Sequence, residues 1–161
     1  MVPTKAEASH IAAVDTWISQ AIDGAQPSVQ LDMFRAAVEA LWDRAALTLG
    51  SVTLVAIAER VLSTAVRRHE FLAVVSPRPN VDSRWKAQVR DRLATVPAPE
   101  LLAGLRFALI ELLTVIGRLT AEILSPELHA ALANVTAGSL AAESPAGLHV
   151  VPALVPGKVQ P

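Results

Sequence analysis

The side chains with most chemical potential in this chain fall into a few groups. One is the carboxylate–arginine set Glu111, Arg118 and Glu122, in which Arg118 and Glu122 are i,i+4 neighbours on a helix. A functional reading makes it a polar pocket completed by Arg60. The simpler reading is the polar edge of an amphipathic helix, where such pairs are worth about a few tenths of a kcal/mol each, and it is preferred.

The histidines form a second group. Glu7-x-x-His10 has the spacing of half a carboxylate-bridged di-metal motif, but such a site needs a second copy and two further inward glutamates. The sequence supplies no second copy, so no metal site is expected. His69 falls on the apolar side of its helix and is expected to be partly buried, in the range where pH matters. A helix-end histidine bonded to a carbonyl explains it more simply. His129 and His149 stand apart from these.

Nucleophilic chemistry has little to build on. Gly50-Ser51 and Gly138-Ser139 put serine beside glycine without making G-x-S-x-G, and no glycine-rich phosphate loop is present. The chain has no cysteine, which removes disulfides, thiolate metal sites and a cysteine nucleophile. The expectation is a protein that is not an enzyme, with no catalytic residue and no cofactor.

Charge is unevenly placed. Residues 60–92 carry eight basic and three acidic groups, against three and seven in residues 1–59 and three and five in residues 93–161. Arg78, Arg84, Lys86 and Arg90 are the candidate partner-binding residues of this basic middle, in company with Arg67, Arg68 and Arg92. Phosphate contacts by these residues would weaken steeply with salt. Yet no tight turn into a polar recognition helix can be placed, Asp82 and Asp91 interrupt the run, and aromatics are only 4%. A solvated basic face that steers an acidic protein partner is preferred over nucleic acid.

The elements that must position these residues are helical. Leu101–Leu124 places Leu101, Leu105, Ala108, Leu109, Leu112, Val115, Ile116, Leu119 and Ile123 on one face, widened by Leu102, Leu113 and Leu124. Its charges at Arg106, Glu111, Arg118 and Glu122 would each cost about 2.5–3.5 kcal/mol near a bilayer centre, which weighs against a membrane span. Ser51–Leu72 is its natural partner, with Leu54, Val55, Ile57, Ala58, Val61, Leu62, Ala65, Val66 and Leu72 on a similarly broad arc. Two arcs this wide predict an antiparallel central pair.

Around that pair the sequence predicts shorter helices. Thr4-Lys5-Ala6-Glu7 has capping-box spacing, and Ile11, Val14, Ile18 and Ile22 follow at core spacing, ending near Gly24. Ser28 is the expected cap of a second helix carrying Leu31, Phe34, Val38, Leu41 and Ala45, which Gly50 closes. The breaker Ser76–Asn80 precedes a short helix capped by Asp82 or Ser83, with Trp85, Val89, Leu93 and Val96 inward. Ser125-Pro126-Glu127 reads as N-cap, N1 and N2 of a last helix bearing Leu128, Leu132 and Val135.

These observations predict an all-α fold: a single-domain antiparallel bundle of five or six helices over residues 1–137. A flexible Pro/Ala/Gly-rich, irregular C-terminal tail over 138–161 follows. Leu148, Val151 and Leu154 make that tail too apolar for an inert linker and mark it as a docking segment. Apolar residues make up 52% of the 161 and charged residues only 18%, more apolar than a lone domain of this size needs. The expected function is a homodimeric protein-interaction or adaptor module that also meets another protein. The alternative is a sensor binding an apolar small molecule where Ala56, Ala58, Ala65, Ala108 and Gly117 thin the central helices. Weak nucleic-acid binding by residues 67–92 comes third. Without a basic n-region and apolar run at the N-terminus, a cytoplasmic location is expected.

Overall fold

The structure, a computed structural model, describes residues 2–75 and 83–136, with backbone only for 83–86. The chain is all-helical, and no strand occurs among the described residues. The elements are α1 (Lys5–Trp17), α2 (Pro27–Leu49), α3 (Ser51–Arg68), α4 (Ser83–Leu93), α5 (Ala98–Leu119) and α6 (Ser125–Ala133). A π turn, Ile18–Ile22, extends α1, and a 3-10 turn, Glu70–Val74, follows α3. Among the described residues no helix is long and apolar enough to cross a membrane.

α5 is the axis. α1, α2, α3 and α6 all pack on it. α1 runs antiparallel to it, because Arg106 early in α5 pairs with Asp15 late in α1, while Arg118 reaches Glu7. α3 is antiparallel too: Arg68 at its end lies 5.1 Å over the ring of Phe107, and a side-chain carbon at Gly104 would meet Phe71. The main core joins Val14, Trp17, Ile22, Met33, Leu41, Leu54, Val61, Leu109, Leu113, Ile116, Leu128 and Leu132. A smaller cluster, Leu31, Leu93 and Leu101, is closed by Phe71, Val74, Val75, Val89 and Val96.

The local signals act largely as their chemistry requires. Thr4 Oγ1 accepts the Glu7 amide at 3.1 Å and the Glu7 carboxylate accepts the Thr4 amide at 2.9 Å, which forms the capping box. Gly24 and Gly50 both take the left-handed region (φ 80° and 81°) where the chain leaves α1 and α2, a conformation that costs glycine nothing. The π turn closes with the Asp23 amide on the Ile18 carbonyl at 2.9 Å and brings Ile18 and Ile22 inward beside Val14.

Several boundaries differ from expectation. The cap of α2 is Gln26 rather than Ser28, since Pro27 supplies the pre-set φ and needs no amide partner at the first position. Val38 is 41% exposed, and Met33 and Ala37 are buried in its stead, because the buried stripe of α2 is rotated by about one residue. α3 ends at Arg68, and Leu72 reaches the core from the 3-10 turn. α5 ends at Leu119 instead of Leu124, which leaves Leu119 and Ile123 outside and Leu113, placed at the margin of the face, wholly buried. The N-cap of α6 is Leu124, so Ser125 lies within the first turn. The breaker 76–80, Asp82, and the tail with Leu148, Val151 and Leu154 lie outside the described residues.

Candidate functional site

Two features stand out, and both arise where α5 stops. After Leu119 the chain folds back tightly. The Thr120 amide bonds Ile116 at 3.0 Å, and the Glu122 amide bonds the Gly117 carbonyl at 2.7 Å. Ala121 and Glu122 sit at φ 51° and 64°. Consecutive left-handed residues with side chains cost about 1–2 kcal/mol each, so the bend must be held by what Glu122 touches.

What it touches is a half-buried polar clasp. Ser125 Oγ donates to Glu122 Oε2. Glu122 Oε2 also lies 3.1 Å from Nε2 of His10, off the line of a good hydrogen bond. His10 is 1% exposed, and its Nδ1 is 2.9 Å from Nε2 of His129 on α6. The two rings meet edge-on at 80° with centroids 5.1 Å apart. Gly117 makes the room: a Cβ there would stand 2.6 Å from Glu122 Oε2. Burial and then the neighbouring His10 hold the His129 imidazole below the ordinary histidine range, with Glu122 opposing.

The groups of the clasp stand in the order Ser125, Glu122, His10, His129. A carboxylate, and not an imidazole, adjoins the hydroxyl, which is the wrong order for a base-activated serine. Ser125 is itself buried. What the arrangement does is tie α1, the bend and α6 together. Alongside it, Trp17 Nε1 donates to the Val135 carbonyl at 2.9 Å and packs edge-on against Phe34, clamping the end of α6 to α1 and α2.

The second feature is apolar. Leu47 and Val52 flank Gly50 between α2 and α3, while Leu119 and Ile123 flank the end of α5. Because α3 and α5 are antiparallel, the four share one end of the bundle. They are 77%, 84%, 60% and 77% exposed, high values for large aliphatic side chains at one end of a bundle. Along α3 the opening continues. Leu54, Ile57, Val61 and Ala65 are buried, but Val55, Leu62 and Val66 are only half-buried. Leu62 and Val66 line a surface hollow of about 500 Å³ with Leu72 and Val75.

The anticipated site residues are dispersed. Arg118 pairs with Glu7 at 2.9 Å, Glu122 turns inward to His10, and Glu111 forms no ion pair among the described residues. Arg60 is exposed and joins none of them. Arg90 pairs with Asp32 on α2 at 3.1 Å. Arg78 and the side chains of Arg84 and Lys86 lie outside the described residues. Glu7 and His10 part company as well: Glu7 stays at the surface, its carboxyl held below the usual range by the Thr4 amide and hydroxyl and by Arg118. Of the small residues, Ala56 is exposed and the space beside Gly117 is filled by the Glu122 carboxylate. His69 caps α3 through its amide on the Ala65 carbonyl at 2.8 Å, its ring between Phe71 and Phe107.

No protein-family model, curated protein or solved structure matches this chain.

Proposed function

We propose that the protein is a non-enzymatic interaction module that pairs with a second copy of itself through the apolar end of the bundle and the adjoining outer side of α3. The observation that carries this reading is the exposure of Leu47, Val52, Leu119 and Ile123, contributed by three helices and the bend to one end. Covering four such side chains removes enough apolar surface to drive association at about 25 cal/mol per Å² before the cost of bringing two chains together. Net charge favours the same occupant. At −1 the chain repels its own copy very little, and both halves of a two-fold contact would present the same apolar groups.

An adaptor role would follow from the basic segment 67–92 meeting an acidic protein. Light scattering of the full chain at about tens of micromolar, where moderate self-affinities are populated, is the test. A mass of twice 17.0 kDa supports the reading, and the single-chain mass at every concentration removes it.

A further inference from the structure

The clasp joining α1, the bend and α6 carries an inference independent of self-association. Its contacts depend on a proton count. The Nδ1 of His10 and the Nε2 of His129 face each other at 2.9 Å, a distance that one shared proton satisfies. When one imidazole is neutral, it accepts and the other donates. When both are protonated, two N–H groups point at each other and the bond is lost, replaced by repulsion between like charges, one of them on the buried His10. The Glu122 carboxylate beside Nε2 of His10 offsets one positive charge, not two.

The surrounding charges are otherwise committed. Glu7 and Arg118 pair with each other, Asp15 pairs with Arg106, and Glu127 of α6 pairs with Arg44 of α2. Lys5 is exposed. Among the described residues, Glu122 is thus the charged group that meets the imidazoles. Solvent reaches the clasp at Glu122, whose side chain is 36% exposed, and at His129, which is half-buried and lines a surface hollow of about 280 Å³ with Thr16, Trp17 and Gln20.

We propose that His10, His129 and Glu122 form an acid-opened latch: double protonation of the histidine pair releases α6 from α1, and with it the Trp17–Val135 bond. The sign follows from linkage. His129 is held below its ordinary value of 6.5, so the open state binds protons more readily than the closed one. The latch's contribution is complete above pH 6.5 and fades as pH falls from there toward the depressed value.

The test follows the Trp17 indole N–H of the full chain by NMR from about pH 7.5 to pH 5, the span in which histidine titrates. The expected result is movement of that resonance toward an exposed indole's position, with its midpoint below the ordinary histidine value. In His129→Gln, whose amide donates to His10 without titrating, the movement is absent. A Trp17 resonance that stays put while both histidines titrate overturns the proposal, and so does an identical transition in His129→Gln. Should that variant fail to fold, hydrogen exchange on the unaltered protein decides. Acidification is expected to lower the protection of α6 amides by roughly tenfold or more and to leave α3 amides protected. Equal loss in both helices, or loss in neither, rejects the latch.

Discussion

α5 and α3 are the long antiparallel pair at the centre of the bundle, yet one is enclosed and the other is open along a side. Each carries four charged residues, but α5 is the more apolar and polar positions are more frequent along α3. α5 meets helices on several sides and buries Leu101, Leu109, Leu112, Leu113 and Ile116, and it takes in Thr114 as well, whose hydroxyl returns to the Ile110 carbonyl at 2.8 Å. α3 buries a single stripe, Leu54, Ile57, Val61 and Ala65. Its second apolar row, Val55, Leu62 and Val66, is left half-covered and runs toward Val52 at the exposed end. Composition and surroundings therefore act together: α5 is the more apolar helix and also the one with neighbours on more sides, and the bundle has enough helices to wrap one axis but not two.

The sharpest break of this contrast is a pair of truncations. Leu113→Ala in α5 removes a wholly buried side chain and is expected to cost about 2–5 kcal/mol in urea unfolding. Leu62→Ala in α3 is expected to cost about 1 kcal/mol, because part of its surface already meets water. Equal losses would mean that the outer side of α3 is covered after all. Next comes α1, which packs along α5. Thr4→Ala removes the hydroxyl that caps α1, with an expected loss of about 1 kcal/mol by thermal or urea unfolding. The fraying should appear as faster hydrogen exchange in α1, and exchange in α3 should hold.

The smallest effect concerns the ion pair on the other flank of α5. Arg106 donates to Asp15 through Nε at 2.6 Å and Nη2 at 2.9 Å, but both side chains are more than a third exposed. Arg106→Ala should therefore cost less than about 1 kcal/mol at neutral pH. The hydrogen bond from Arg106 holds the Asp15 carboxyl below its ordinary value of 3.8. Its contribution is present above that value and is lost as pH falls through the depressed one. Unfolding curves of the variant and the unaltered protein should converge in acid, and a gap that persists there would exclude the pair as its source.

The architecture was legible in the sequence wherever spacing and caps acted locally. The capping box at Thr4, the stops at Gly24 and Gly50, the two long apolar helices and the inward Leu128 and Leu132 all follow from short-range chemistry. The clasp was not legible, because it depends on the end of α5. Read as a helix through Leu124, Glu122 lies on a polar edge and Ile123 on a buried face. Two left-handed residues reverse both assignments, and nothing in Thr120–Leu124 announces them, since neither is glycine. A signal for His10 did exist: it precedes Val14 by four residues and Trp17 by seven, which places it on the inward face of α1. Its partner His129 is 119 residues away, and no local pattern links the two.

The measurement closest to the central claim is sedimentation velocity of the unaltered chain beside a Leu119→Glu/Ile123→Glu variant. Both positions are exposed in the single chain, so the charges should leave its stability within about 0.5 kcal/mol and act on association alone. The expected result is a concentration-dependent dimer for the unaltered protein and a monomer for the variant. A monomer in both, or a dimer that survives the two glutamates, would contradict the assignment of this end as the contact.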